Sequence, residues 1–361
     1  MLYLCYSIND FFAREAGISM IGFFENNPDY EPEEVFILDY GIHPRNKERL
    51  DEIAVRYGKH VTFLNAKDVT DAVKREFPDL KGWRGSMAPN AKCFVEQIFP
   101  DYVERLLFID ADTVVAGSVA ELKTIDMSGA ALGVVPVNLG AEGIRKGHYK
   151  LLSGNQFYFN TGVLLYNMPM WRQENCHQMI IDTLHKQIDL EWPDQNLLNN
   201  AIPERVIKRL PQKFNYWTHY YHPRQERSWL RIGHYFSDDE IEEAVSHPAI
   251  VHYLGGWVMA RPWYEACRSH CQEPYLRYKA LSPWKDSPLF TPNYEVAPVK
   301  GLMQHLGRWR SLLAFRQPSF TLARLAALAY EKITEYTIDI RTHDKNQSKK
   351  GKIAKIAHFI G

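Results

Sequence analysis

The stretch Leu106-Leu107-Phe108-Ile109-Asp110-Ala111-Asp112-Thr113 carries four large apolar residues directly into two aspartates. A continuous apolar run of this length is typical of a β-strand that is buried on both faces. Alternate side chains of an extended chain share a face, so Asp110 and Asp112 can point the same way across the small Ala111. Two neighbouring carboxylates repel unless a cation or a proton lies between them. The stretch therefore predicts a site for Mg²⁺ or Mn²⁺, while a polar loop with one aspartate capping a helix remains an open alternative.

The rest of the chain repeats a strand-and-helix order on both sides of this stretch. Short apolar runs, typical of buried strands, lie at residues 2–6, 35–38, 61–64, 106–109, 130–135, 159–167 and 249–257. Helical spacing covers residues 11–26, 44–57, 90–99 and 169–187, and a further helix opens near residue 193. This order predicts an α/β fold with a mostly parallel sheet flanked by helices. Such sheets bind ligands at the carboxyl ends of their strands, where residues 7–10 and the two aspartates fall.

Composition and charge divide the chain into a body and a tail. The 361 residues are 45% hydrophobic, enough for a large core in one or two domains. The formal net charge is +0, but 12 Lys and Arg stand against 4 Asp and Glu from Lys300 onward. We expect a domain at residues 1–298 and a basic helical extension at residues 299–361. The extension favours peripheral contact with an anionic membrane surface, or a solvated helix packed on the body; no nucleic-acid partner is expected.

The cysteines and the hydropathy pattern indicate a cytoplasmic protein. Five cysteines without a small-scaffold spacing are typical of reduced thiols. Cys267 and Cys271, with His270 and His252, allow a zinc site, but no second cysteine pair supports it. No apolar run reaches the roughly 18 to 20 residues that span a bilayer, and the first residues read as a strand rather than as a signal peptide. We therefore expect a cytoplasmic protein with at most a peripheral membrane contact.

Two further features point to ligand binding. Lys92 falls near the start of the helix predicted at residues 90–99, a position that is unfavourable for a cation unless an anion lies close. Residues 137–158 are rich in glycine and basic residues and lack periodicity, which is typical of a lid over a site or of disorder.

Four separated blocks share the order found in one known family. They are residues 106–113, 159–167, 194–199, and 252–255 followed by Arg261-Pro262-Trp263. Together they resemble the retaining nucleotide-sugar glycosyltransferases of family 8, which include glycogenin and bacterial lipooligosaccharide galactosyltransferases. The resemblance spans Leu2 to Trp263. It implies a GT-A fold with a Rossmann-like sheet, and transfer of galactose or glucose from a UDP-sugar to a saccharide or glycolipid acceptor in bacterial lipopolysaccharide or surface-glycan synthesis. It also implies Mn²⁺ or Mg²⁺ as cofactor.

The resemblance assigns roles to individual residues. The DXD motif of Asp110 and Asp112 and the later His252 would bind the metal. Lys92 and Arg261 match basic positions at the sugar and at the phosphates. Asn160 matches the sugar-binding asparagine, and Asp194 and Gln195 the pair beside the reacting anomeric carbon. The remaining nucleotide contacts would come from Cys5, Ser7, Asn9, Ala111 and Gly255.

The chain also departs from the family pattern. The family often carries an acid where this chain has Ser7, and five residues separate Gly255 from Arg261, more than the usual spacing. Residues 140–154 and the aromatic segment 219–222 are expected to shape the acceptor site.

Two rival classes remain at this point. A metal-dependent phosphoryl or nucleotidyl transferase would need an aspartyl nucleophile or a phosphate-cradling glycine-rich loop after the strand, and Val114-Val115-Ala116-Gly117 is neither. A non-catalytic sugar-nucleotide or glycan-binding protein on the same fold is the other. The intact aspartates, Lys92 and His252 argue against that second class.

Overall fold

The computed structural model describes residues 1–83, 85–138, 141–147, 151–188, 192–218, 223–254 and 260–291. The predicted extension at 299–361 lies outside the described residues, as do Gly255, the segment 219–222, and residues 139–140 and 148–150 of the predicted lid. Within the described part of the chain, no helix is both long and apolar enough to cross a bilayer.

Two β-sheets organise the described residues. The strands are β1 Tyr3–Ile8, β2 Glu34–Asp39, β3 His60–Leu64, β4 Arg105–Ile109, β5 Thr113–Val115, β6 Leu132–Val137, β7 Tyr158–Asn167, β8 Ile207–Arg209, β9 Tyr216–Trp217 and β10 Ile250–His252. Seven strands form a sheet in the order β3-β2-β1-β4-β7-β6-β8, and a small sheet has the order β5-β10-β9. Among the described strands of the large sheet, only β7 runs against its neighbours, between β4 and β6. The predicted mixed, mostly parallel sheet is confirmed.

Helices cover both faces of the large sheet. They are α1 Ala13–Asn26, α2 Pro44–Arg56, α3 Lys67–Glu76, α4 Val95–Ile98, α5 Glu121–Thr124, α6 Ala141–Arg145, α7 Met168–Gln173, α8 Cys176–His185, α9 Pro193–Ala201, α10 Pro223–Leu230, α11 Asp238–Ser246 and α12 Gln272–Ala280. Short 3₁₀ helices lie at Asp10–Phe12, Ala88–Phe94, Glu204–Val206 and Gln212–Asn215.

The central strand β4 is buried on both faces, as its apolar run predicts. Leu107 and Ile109 pack into the core cluster that also contains α1 and α2, whereas Leu106 and Phe108 pack into the cluster on the opposite face. Alternate residues of this strand therefore pack into two separate cores, because successive side chains of a strand point to opposite faces. The aspartates begin where this double burial ends.

Several predicted boundaries differ from the observed ones. The helix predicted at residues 90–99 is mostly the 3₁₀ helix Ala88–Phe94, followed by the single turn α4. Its polar residues Asn90 and Lys92 are buried, a feature that helical spacing does not encode. The strand predicted at 249–257 pairs only over Ile250–His252 within the described chain. The predicted lid is partly regular, with β6 extending to Val137 and α6 following it.

The helix predicted at residues 169–187 is divided into α7 and α8 at Asn175. Asn175 has a left-handed backbone, with φ 55° and ψ 41°. A left-handed residue interrupts the helical hydrogen-bond ladder, and asparagine tolerates this conformation better than most residues. The change of direction lets Trp171 of α7 and Ile180 of α8 both reach the core.

The break at Asn175 leads to a stability prediction. Asn175→Ala should lower the free energy of unfolding by about 1 kcal/mol, because a Cβ-bearing residue without a local polar group is disfavoured at positive φ. Asn175→Gly should leave stability unchanged or raise it slightly. Urea denaturation checks both variants, with Gln173→Ala in the exposed last turn of α7 as a control expected within about 0.5 kcal/mol. An Asn175→Ala variant as stable as the parent chain would contradict this explanation of the break.

Candidate active site

The two aspartates and His252 meet at the edge where β4 ends. Strand β10 pairs antiparallel with β5 and places His252 opposite Thr113. The backbone N–H of Tyr253 donates to the carbonyl oxygen of Asp112 at 2.9 Å, which holds the two segments together. One possible ligand atom each from Asp110, Asp112 and His252 lies within 4.8 Å of the others. The small sheet thus brings His252 next to two aspartates that lie more than a hundred residues earlier in the sequence.

The electrostatics of these three residues fit a cation. His252 is 1% exposed, and its Nε2 lies 3.1 Å from Oδ1 of Asp112. Burial opposes ionisation of Asp112, but the contact with His252 and the nearby Arg261 outweigh it and lower the pKa of Asp112 to about 2. Burial and the neighbouring Asp112 raise the pKa of Asp110, against the opposing effect of Lys92. Two carboxylate oxygens and one imidazole nitrogen suit Mn²⁺ and related divalent ions.

Lys92 lies between the aspartates of two different elements. Its side chain is fully buried, and Nζ lies 2.6 Å from Oδ1 of Asp110 and 3.3 Å from Oδ2 of Asp194. Burial alone would lower the pKa of Lys92, but the two carboxylates raise it above its usual value, so the ammonium is charged. The hydroxyl of Tyr166 donates to the Lys92 carbonyl oxygen at 2.7 Å and fixes the backbone. Lys92 therefore joins Asp110 to the start of α9.

The first turn of α9 supplies Asp194 and Gln195. The hydroxyl of Thr161 donates to Oδ2 of Asp194 at 2.6 Å, so this oxygen is held from two sides. Asn160 donates from Nδ2 to Oε1 of Gln195 at 2.8 Å. Gln195 in turn donates to the hydroxyl of Tyr158 at 3.3 Å. The antiparallel strand β7 thus presents three polar side chains to α9.

Gly162 allows His252 to reach the site. Its carbonyl oxygen accepts from the backbone N–H of Asp110 at 2.8 Å, which brings β7 against the aspartates. A Cβ at this position would lie 2.0 Å from Cε1 and 2.5 Å from Nδ1 of His252. The imidazole therefore packs directly on the Gly162 backbone, and no larger residue fits.

The residues predicted at the nucleotide lie in different settings. Cys5 is fully buried within a core cluster, so its side chain is not presented to the site. Ser7 donates from Oγ to the carbonyl oxygen of Ala88 at 2.7 Å. Oδ1 of Asn9 is buried and has no hydrogen-bond partner within the described residues, which leaves it able to accept from a ligand. Ala111 is buried between the aspartates, and Arg261 places Nη2 3.9 Å from Oδ2 of Asp112.

The cysteine-based zinc alternative is not supported. Three or more His, Cys, Asp or Glu side chains can hold a metal ion where they lie close enough to share it. Across the part of the chain that the structure describes, Asp110, Asp112 and His252 form the only such group. Cys267 and Cys271 are free thiols outside this group.

Sequence reasoning missed four residues of the site: Tyr158, Thr161, Gly162 and Asn215. Thr161 and Gly162 belong to the same block as Asn160. The polar residues near the start of this otherwise apolar strand could have indicated them. Asn215 was hidden in an aromatic segment without periodicity. Its amide lies 2.9 Å from both Asn160 and His252.

Comparison with known proteins agrees with this geometry. The profile of glycosyl transferase family 8 matches residues 3–267. The chain belongs to this family. It is 22% identical over 293 residues to general stress protein A of Bacillus subtilis, covering 79% of this chain and 95% of that protein. It is 22% identical over 335 residues to the lipopolysaccharide 1,3-galactosyltransferase of Salmonella typhimurium, covering 91% of this chain and 90% of that protein.

Solved structures show the same fold. The galactosyltransferase LgtC in complex with donor and acceptor sugar analogs superposes with a TM-score of 0.61 at 21% identity, covering 78% of this chain and 96% of that one. The bifunctional glycosyltransferase WbbM, in its apo structure, gives a TM-score of 0.65 at 18% identity, covering 79% of this chain and 50% of that one. The GT-A expectation from the sequence is confirmed, and family membership makes the chain a glycosyltransferase.

The packing at Gly162 leads to a test of the site. Gly162→Ala should lower the free energy of unfolding by about 1 to 3 kcal/mol, because the added methyl group overlaps the imidazole. It should also weaken Mn²⁺ binding by about 10-fold or more, since His252 must move. Thermal unfolding and Mn²⁺ titration measure the two effects.

Gly117→Ala provides the matched control. Its added Cβ would meet Cα of Ala249 at 3.3 Å, a much milder contact that does not involve the imidazole. This variant should bind Mn²⁺ like the parent chain. Unchanged Mn²⁺ affinity in Gly162→Ala would contradict the placement of His252 as a ligand.

Proposed function

We propose that the protein is a metal-dependent, retaining hexosyltransferase that moves galactose or glucose from a UDP-sugar to a saccharide acceptor, in bacterial lipopolysaccharide or surface-glycan synthesis. The observation that carries the proposal is the convergence of Asp110, Asp112 and His252, joined through Lys92 to Asp194. Relatives named as lipopolysaccharide galactosyltransferase and glucosyltransferase support the substrate class.

The described residues divide into a phosphate side and a sugar side. Asp110, Asp112 and His252 would hold Mn²⁺ or Mg²⁺, which when bound supplies positive charge at the diphosphate. Arg261 lies beside Asp112, where its guanidinium can add charge to the same phosphates. The unpartnered Oδ1 of Asn9 can accept from the nucleoside.

The sugar side is built from amides and one carboxylate. Asn160 and Gln195 are hydrogen-bonded to each other and keep further N–H groups for sugar hydroxyls. Asp194 lies next to them in the first turn of α9. Because these side chains are already held by the protein, they can orient a sugar without first becoming ordered.

The setting of Asp194 favours one of two retaining mechanisms. Its Oδ2 is paired with the buried Lys92 ammonium and accepts from Thr161, and both contacts reduce its reactivity as a nucleophile. The amide of Gln195 is a weaker nucleophile still. We therefore propose front-face attack, in which the acceptor hydroxyl attacks the anomeric carbon and the departing phosphate takes its proton. Asp194 would then stabilise the positive charge that develops at the anomeric carbon, and Lys92 would hold Asp194 in place. Neither residue would form a bond to the sugar.

Donor specificity gives the direct functional test. The protein should release UDP from UDP-galactose or UDP-glucose in the presence of Mn²⁺, and metal removal should abolish the release. The Asp110→Asn/Asp112→Asn variant should lose about 100-fold or more, because both carboxylate ligands lose their charge. A panel of UDP-sugars, assayed with Mn²⁺ or with EDTA, measures the rates.

If no UDP-sugar of the panel is turned over, measurements of UDP binding with and without Mn²⁺ distinguish the possible reasons. Metal-dependent UDP binding without turnover would mean that the acceptor is required for the first step. The absence of both turnover and metal-dependent UDP binding would contradict the proposal. That result would favour a non-catalytic glycan-binding protein.

The mechanism has its own test at Asp194. When the enzyme is mixed with its donor and quenched by acid in the absence of acceptor, intact-protein mass spectrometry should show no glycosyl adduct. Asp194→Asn should lower kcat by about 100-fold, since the variant leaves Lys92 with one carboxylate instead of two. A covalent hexosyl group on Asp194 or Gln195 would overturn front-face attack in favour of double displacement.

The location of the protein and its peripheral membrane contact stay predictions from the sequence, because the basic extension at 299–361 lies outside the described residues. The same holds for the acceptor contacts expected from residues 219–222.

A further inference from the structure

We infer that Asn215 is a positioning residue that fixes which nitrogen of His252 faces the metal site and ties that choice to the sugar-binding Asn160. The inference rests on the proposed function, because it assigns Asn215 a role toward the metal and the donor. It is carried by a chain of hydrogen bonds in which each group has only one possible orientation.

The chain starts from a backbone donor. The N–H of Gly162 lies 2.8 Å from one terminal atom of the Asn160 side chain, and a backbone N–H can only donate. That atom of Asn160 is therefore the oxygen, Oδ1. The other end of the amide, Nδ2, donates to Gln195 at 2.8 Å. The orientation of the Asn160 amide is thus set by the main chain.

The orientation of Asn160 determines that of Asn215. The same Oδ1 of Asn160 lies 2.9 Å from one terminal atom of Asn215, which must be a donor and is therefore Nδ2. The oxygen of Asn215 then points to Nδ1 of His252, also at 2.9 Å. Because an amide oxygen can only accept, Nδ1 of His252 carries the hydrogen. Nε2 is then the nitrogen that faces Asp112, and a cation bound between them would take the place of the hydrogen on Nε2 and accept its lone pair.

The backbone around Asn215 holds this amide in place. Asn215 is 0% exposed and ends the 3₁₀ helix Gln212–Asn215, and its carbonyl oxygen accepts from the side chain of Gln212 at 3.0 Å. The next residue, Tyr216, pairs with Val251 of β10, the neighbour of His252, so the pairing of β9 with β10 keeps Asn215 close to His252. An apolar residue of the same size would leave Nδ1 of the buried His252 without a partner and would remove one of the two donors to Oδ1 of Asn160.

A buried asparagine can also serve stability alone, and substitutions separate the two roles. A merely structural Asn215 would lower stability when replaced but leave the metal affinity of the folded protein unchanged. An Asn215 that positions the site affects metal binding and sugar binding separately, because its amide oxygen contacts His252 and its amide nitrogen contacts Asn160. Asn215→Leu removes both contacts. Asn215→Asp keeps an acceptor for Nδ1 of His252 but loses the donor to Asn160.

The first experiment measures Mn²⁺ binding to the full chain from the electron paramagnetic resonance signal of free Mn²⁺. Asn215→Leu should weaken Mn²⁺ binding by about 10- to 100-fold, the range for loss of a partner that orients a metal-binding histidine. Asn155→Leu is the control, since it removes another buried amide, one that donates to Ile202. It should lower stability but leave Mn²⁺ affinity unchanged.

The second measurement separates the two ends of the amide. Asn215→Asp should bind Mn²⁺ within a few-fold of the parent chain, because its carboxylate still accepts from Nδ1. Its affinity for the donor sugar, taken as the ratio of UDP-sugar to UDP binding in calorimetry, should fall by about 10-fold as the carboxylate repels Oδ1 of Asn160.

Spectroscopy tests the assignment directly, even if Asn215→Leu does not fold. In ¹⁵N correlation spectra of histidine-labelled protein with Mg²⁺ and UDP, the signal that disappears in His252→Gln should show hydrogen on Nδ1 and none on Nε2. Hydrogen on Nε2 alone, or an Asn215→Leu variant that binds Mn²⁺ like the parent chain, would overturn the inference and leave the proposed function intact. A parent chain that binds no divalent ion would overturn the proposed function itself.

Discussion

The buried ammonium of Lys92 is the constraint on which the rest of the site depends. It lies between Asp110, which follows the central strand, and Asp194, which opens α9, and the protein shields it from bulk water. A buried charge must be paired, and removal of one partner from such a group costs roughly 3 to 5 kcal/mol. The strand end and the helix start are therefore held at a fixed distance. This holds the residues proposed to bind phosphate and those proposed to bind the sugar on one frame.

The antiparallel strand β7 completes that frame. It inserts between β4 and β6, so that Asn160, Thr161 and Gly162 arrive beside the aspartates. Asn160 begins a hydrogen-bonded series, Thr161 holds Asp194, and Gly162 leaves room for His252. Three successive residues can act in these different ways because the pairing of β7 with β6 is irregular between Asn160 and Leu164, while the Gly162 carbonyl stays bonded to Asp110. The small sheet then brings His252, 140 residues after Asp112 in the sequence, to the same site.

The sheet and the grouping of Asp110, Asp112 and His252 could be predicted from the sequence, because each is local or belongs to a recognisable block. The metal-binding and sugar-binding roles of the site residues stay predictions. The apolar run before Asp110 encodes burial on both faces, and Pro193 with Asp194 encodes a helix start. Asn215 and the burial of Lys92 could not be predicted, since both depend on contacts between distant segments. The break at Asn175 was missed because the spacing of apolar residues continues through it. Family resemblance gave His252 a role that its apolar neighbours alone would not have indicated.

The most direct test of the account is the position of the metal. In crystals grown with MnCl₂ and UDP, anomalous diffraction at the manganese edge should give one strong peak about 2 Å from carboxylate oxygens of Asp110 and Asp112 and from Nε2 of His252. The UDP phosphates should complete the coordination on the side of Arg261. A peak at other residues, or coordination of His252 through Nδ1, would contradict the account.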